Sequence, residues 1–191
     1  TNSAELLFFT NHAQVYKSRA SEFADTKASV LGDYVASKLE MEEGEVPLFM
    51  TVTVDYRGYM LFFYQNGKCA KIPLASYMTK QNRRKLLKAY SDKEELAAML
   101  HIEEETELAV FTSGGTGGPR LILVGSALIP EKATRDTAGI NMVTLKKNAR
   151  IAKVRPAAGL ELKDPHRSRV RTLPAAGALL RQEDTTEQMS L

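Results

Sequence analysis

The chain has 191 residues, 43% hydrophobic and 26% charged, with a formal net charge of +3; this supports a folded core and excludes wholesale disorder. One cysteine, Cys69, excludes an internal disulfide and a cysteine-rich zinc module, and His12, His101 and His166 have no paired spacing. No apolar run approaches the roughly 18 residues of a membrane span, and the opening at Thr1, without a signal segment, reads as a piece of a longer intracellular protein.

In chain order, Leu7-Phe8-Phe9-Thr10 reads as an apolar strand, Asn11 to Gln14 as a turn, and Val15-Tyr16-Lys17 as the returning strand. Glu22-Phe23 and Gly32 follow, then strand candidates at Tyr34–Leu39 and Leu48–Val54. The pattern restarts at Leu61-Phe62-Phe63-Tyr64. Here Asn66-Gly67 supplies a hairpin turn, because a tight hairpin needs positive φ at its tip, and Lys68 to Lys71 returns. Ser76-Tyr77 matches Glu22-Phe23. Periodicity then suggests helix over Lys80–Tyr90 and Lys93–Leu100, with Ser91 and Glu94 as a capping pair, whereas the repeat predicts a strand over Glu95–Ile102. A third copy begins at Ala109-Val110-Phe111-Thr112, with Leu128-Ile129-Pro130, Gly139 and strands over Ile140–Leu145 and Ala149–Val154. From Pro156 the pattern stops, and residues 156–191 read as an extended or mobile tail.

The period near 50 residues and the four short strands per copy predict an all-β, propeller-like array of about three four-stranded blades. The units span about 5–55, 56–104 and 105–155, with a helical deviation near 80–100. One such blade cannot bury both of its faces, so neighbours must cover them. The plainer reading of the same strands is a β-sandwich.

These repeats resemble the C-terminal domain of the A subunits of bacterial type IIA topoisomerases, DNA gyrase and topoisomerase IV. The likeness rests on Leu7 to Asn11 with Val15-Tyr16-Lys17, on Phe62-Phe63 with Asn66-Gly67-Lys68 and Lys71, and on Gly139-Ile140 with Val143-Thr144-Leu145. It implies a β-pinwheel whose blades exchange strands and whose basic outer rim wraps duplex DNA. It further implies no cofactor in this segment, and as partners the remainder of the A subunit and its ATPase subunit in a bacterial, nucleoid-associated cytoplasmic enzyme. The family's catalytic tyrosine lies in another domain, so none of Tyr16, Tyr34, Tyr56, Tyr59, Tyr64, Tyr77 and Tyr90 inherits that role. Two features depart from the family. Three copies are present where it has five or six, and the Gln-Arg-Arg-Gly-Gly-Lys-Gly box of gyrase is missing; Gln81-Asn82-Arg83-Arg84-Lys85 has the charge without the glycines.

Charge is unevenly spread: residues 1–119 carry a net −3, residues 120–171 a net +8 and residues 172–191 a net −2. A basic segment followed by an acidic end suits a polyanion. The candidate DNA contacts are Lys80, Arg83, Arg84, Lys85 and Lys88; Arg120, Lys132 and Arg135; and Lys146, Lys147, Arg150, Lys153 and Arg155, extended by Lys163, Arg167, Arg169 and Arg171. Cations on turns and rims meet phosphates without base-specific geometry, and no interleaved aromatics suggest single-strand stacking. The glycine-rich run Ser113–Arg120 lacks the Gly-Lys-Ser/Thr ending of a phosphate loop and reads as an elongated hairpin tip. Glu42-Glu43 with Glu45, and Glu103-Glu104-Glu105 with Glu107, read as solvated loops, and Cys69 as a packed thiol. The expected function is non-catalytic binding and bending of duplex DNA. The rival is a protein-interaction propeller that does not bind DNA.

Overall fold

The computed structural model describes residues 3–23, 25, 27, 31–79, 84–181 and 184. Three hairpins form its centre: β1 (Glu5–Thr10) with β2 (Val15–Arg19), β4 (Tyr59–Tyr64) with β5 (Lys68–Pro73), and β8 (Glu107–Gly114) with β9 (Arg120–Gly125). A third strand flanks the first of each pair: β3 (Pro47–Thr53), β7 (Leu96–Ile102) and β11 (Ala149–Pro156). A two-residue fourth strand flanks the second: β6 (Lys85–Leu86), β10 (Ile140–Asn141) and β12 (Ala178–Leu179). The result is three four-stranded antiparallel sheets, ordered β3-β1-β2-β6, β7-β4-β5-β10 and β11-β8-β9-β12. Each blade therefore takes its last strand from chain that lies beyond its own hairpin and third strand.

The blades stack through faces set by strand alternation. Leu7 and Phe9 of the first blade meet Met60, Phe62 and Tyr64 of the second. Leu61 and Phe63, pointing the other way, meet Leu108 and Val110 of the third. A middle blade covered on both sides needs a strand apolar at every position, which Met60 to Tyr64 supplies. Phe9 makes edge contacts with Phe62 at 5.8 Å and Tyr77 at 5.2 Å, and such a buried ring stabilises by about 1.5–3 kcal/mol. Phe8, Phe62 and Val110 occupy equivalent places, opposite Tyr16 and Met50, Ala70 and Met99, and Ile122 and Val154. The equivalence extends to an irregularity: each third strand carries one extra residue, Leu48, Ala97 or Ala152, opposite the same point of its hairpin.

The two outermost faces are half-capped. On the first blade, Phe23 and the helical turn α1 (Val35–Lys38), with Leu39 and Met41, cover Phe8 and Tyr16. On the third, Ala157, Leu160, Leu162 and Leu180 cover Ala109, Phe111, Leu121 and Leu123. The chain after Pro156 follows this blade through hydrogen bonds from Leu123 N to Ser168 O and from Val170 N to Leu123 O, then adds β12.

Three sequence expectations are corrected. Lys93–Leu100 is not helical: Leu96–Ile102 pairs with β4, and the extra residue at Ala97 imitates helical spacing. Within Lys80–Tyr90 the described residues form β6 and bends, with Lys88 at φ +52°, a left-handed conformation that stops a helix; residues 80–83 lie outside the described set. Tyr34–Leu39 is not a strand but contains α1, because Val35, Leu39 and Met41 must reach back to one apolar face.

Candidate nucleic-acid interface

The thirteen candidate cations fall into distinct groups. Lys80 and Arg83 lie outside the described residues. Arg84 faces Glu22 at 3.5 Å, Lys85 is paired with Glu42, and Lys88 faces Asp136 at 3.8 Å. Arg135 donates from Nη1 to Ser76 O at 2.9 Å and lies over the Tyr77 ring, fastening the 131–139 loop to the second blade. Arg120 donates from Nη1 to Gly177 O at 2.8 Å, holding the approach to β12. Lys132 sits on the loop beside β5, its N–H bonded to Lys71 O. Arg120 and Arg135 each commit Nη donors to main-chain carbonyls within the fold.

The other five are brought together. Lys146 and Lys147 occupy an exposed turn closed by Ala149 N to Lys146 O at 2.9 Å, with Asn148 at φ +63°. Along β11, Arg150 is opposite Ser113, Lys153 opposite Phe111 and Arg155 opposite Ala109, all on the outward face of the third blade. Strict alternation would separate Arg150 from Lys153. The extra residue Ala152 realigns them and leaves Ile151 and Val154 facing the second blade. Among the described residues Lys146, Lys147, Arg150 and Lys153 have no acidic partner, and Arg155 reaches only Pro156 O at 3.4 Å.

The glycine-rich tip is built against this turn. Thr116 N donates to Lys147 O at 3.1 Å. A Cβ on Gly115, whose φ is +77°, would stand 2.7 Å from the same oxygen, and one on Gly114 would stand 2.9 Å from Asn148 O. The tip thus fixes where the two lysines project.

Several acidic residues depart from the solvated loops expected of them. Glu45 is buried and accepts hydrogen bonds from the Thr10 and Tyr16 hydroxyls and Glu42 N. Burial pushes its carboxyl up, but these three donors outweigh that and hold it below the usual range. His12, Glu42 and Glu45 could bring three ligand atoms within 4.8 Å of one another, yet these donors and Lys85 already occupy the carboxylates. Glu105 is likewise pushed up by burial and held lower, net, by Lys71 and the Ser126 hydroxyl. Lys71 itself is buried, bonded to Ser126 O at 3.2 Å and lying 4.3 Å from the Tyr59 ring centre. Lys17 repeats the device with Thr79 at 3.1 Å, Glu5 at 3.7 Å and the Tyr56 ring. These two lysines recur in the sequence as a signature, and the signal for their burial is their place opposite Leu7 and Leu61 on apolar hairpins. Cys69 is fully buried, and that burial pushes its thiol up, consistent with a packed residue.

No protein-family model matches the chain, and no curated protein is significantly similar to it. Solved structures with similar folds include the C-terminal domain of DNA topoisomerase IV, at a TM-score of 0.75 and 17% identity over 93% of this chain. The DNA gyrase A C-terminal domain aligns at 0.61 and 14% over 93%, and the Escherichia coli ParC C-terminal domain at 0.67 and 11% over 95%. The chain spans 58% of the first of these, 60% of the second and 78% of the third. Three blades, shared hairpin register and strands passed from one blade to the next give this chain the β-pinwheel fold of the gyrase A and topoisomerase IV C-terminal domains.

Proposed function

We propose that this chain is a non-catalytic duplex-DNA-binding domain of an A-type type IIA topoisomerase, with contact made by Lys146, Lys147, Arg150, Lys153 and Arg155. The observation that carries the reading is the gathering of these five cations on one turn and one edge strand, without acidic partners among the described residues. Paired cations such as Lys85 are neutralised locally, whereas unpaired ones on an exposed turn release counterions when a phosphate replaces them. Bending a short duplex costs on the order of 1–6 kcal/mol, which several such contacts offset. In the whole enzyme the domain would hold a DNA segment for the strand-passing core, alongside the rest of the A subunit and its ATPase subunit.

The test is the triple variant Lys146→Glu, Lys147→Glu, Arg150→Glu. It is expected to fold like the parent and to bind every duplex sequence more weakly. The log–log salt slope should flatten by up to about 0.9 for each phosphate that is no longer neutralised. A triple variant that binds as tightly as the parent at moderate salt refutes the assignment of these residues. A parent without salt-dependent duplex binding refutes DNA binding itself.

A further inference from the structure

The turn that leads into each third strand is built to one plan. Pro47, Leu96 and Ile151 hold equivalent places opposite Thr10, Tyr64 and Thr112, so residues 42–46, 91–95 and 146–150 are matched turns at the same corner of successive blades. Their hydrogen bonds agree: Glu45 N donates to Glu42 O at 3.0 Å as Ala149 N does to Lys146 O at 2.9 Å, and Gly44 and Asn148 both have positive φ. Val46 O and Glu95 O likewise accept from the matched hairpin residues Asn11 N and Gln65 N. The charges do not agree. The third turn carries Lys146, Lys147 and Arg150, a net +3; the first carries Glu42, Glu43 and Glu45, a net −3; the second carries Asp92, Glu94 and Glu95 against Lys93, a net −2. The reversal is sharpest where Lys147 is matched by Glu43 and Asp92. All three side chains are exposed, and neither carboxylate has a cationic partner among the described residues.

We propose, resting on the DNA-binding reading above, that this corner of the array takes duplex DNA at the third blade alone. The carboxylates of the first two turns hold the duplex off, so that DNA seated on Lys146 and Lys147 leaves the row instead of running on along it. Neighbouring sheets pack about 10 Å apart, a distance comparable with the screening length of about 8–10 Å at ordinary salt, so a duplex on Lys147 still feels the turn next door. Each base pair adds two phosphates per about 3.4 Å. Extending the contact towards Asp92 and then Glu43 therefore adds repulsion at every step where a continuous wrap needs attraction. The site this leaves is short. The eight residues of β11 span about 26 Å, or about 8 base pairs. The five cations Lys146, Lys147, Arg150, Lys153 and Arg155 limit the log–log salt slope to about 4.5, where three cationic turns in a row would make the site longer and the slope steeper.

Fluorescence anisotropy on the full chain, with duplexes of about 12 and about 36 base pairs, tests this. The parent is expected to bind both with the same salt slope and, once corrected for the extra positions on the longer duplex, with the same affinity to within about twofold. Glu43→Lys with Asp92→Lys should let the duplex run on. Affinity for the longer duplex should rise at least about tenfold, against less than about threefold for the shorter, and the slope for the longer should steepen by up to about 1.8. Asp55→Lys with Glu103→Lys makes the same change of net charge at the far ends of β3 and β7, and should leave the ratio of the two affinities that of the parent. All four side chains are exposed, so both double variants should melt like the parent. A parent that binds the longer duplex at least about tenfold more tightly per site, with a steeper slope, overturns the inference. So does a Glu43→Lys, Asp92→Lys variant that keeps the parent's ratio, or an Asp55→Lys, Glu103→Lys variant that shifts the ratio equally. A parent with no salt-dependent binding to either duplex overturns the DNA-binding reading, and this inference falls with it.

Discussion

Gly115 has no side chain, and the turn opposite it fills the room this leaves. A methyl group there would press on Lys147 O and on Ala149 in a backbone conformation that L-residues seldom adopt. Gly115→Ala should therefore cost about 1 kcal/mol or more and shift the Lys146–Lys147 turn. Thermal melting should fall slightly and duplex affinity should fall with it, although no charge has been removed. At Glu45, Glu105 and Glu107 the folded protein holds the carboxyl below its ordinary value; for Glu107 the Arg169 hydrogen bonds are the main cause. A carboxyl depressed on folding stabilises the native state above its unfolded pKa, and that stabilisation is lost as pH falls through the folded value. The urea midpoint should thus drop on going from about pH 6 to about pH 3.5, and Glu105→Gln should show a smaller drop. The basic character of residues 120–171 is plain in the sequence; which of those cations are committed elsewhere is not. Arg120 and Arg135 read like Arg150 until the carbonyls of Gly177 and Ser76 are seen beside them.

The hairpins are legible in the sequence because apolar run, turn and return are local: Asn66-Gly67 has Gly67 at φ +90°, as a tight tip requires. The third strands are legible from the repeat but look helical by periodicity alone, since one extra residue converts a two-residue alternation into a three-residue spacing. The same residue in β11 aligns Arg150 with Lys153, so the cationic row cannot be read from alternation alone. The two-residue strands β6, β10 and β12 leave no pattern of their own, because two ladder positions are too few to show a period. β12 matters nonetheless, as part of the segment that covers Phe111, Leu121 and Leu123. Ending the chain after Pro156 should re-expose these side chains and cost at least about 3 kcal/mol. Calorimetry should show a lower melting temperature, and light scattering a new tendency to associate. A truncated chain as stable as the parent would mean that the cap contributes no cover.

At the scale of the whole molecule the first and third blades present unlike outward strands, apolar on the first and cationic on the third, joined through one aromatic-rich interface and one largely aliphatic one. The three-blade count and the stacking are legible from the period near 50; the unlike outward strands depend on which strand each cap leaves bare, which only the fold decides. The passing of strands between blades also bears on how the protein is made. Synthesis runs from the N-terminus, so the first sheet has three strands when Thr53 emerges and waits for Leu86 to complete it. By then the hairpin of the second has been made. The second sheet waits in the same way for Asn141, after the third hairpin, and the third for Leu179. Neither of the first two blades can be finished on the ribosome before the hairpin of the next has been translated, so the order of emergence sets the order of assembly, and a nascent chain halted between these blades is one short strand from closure.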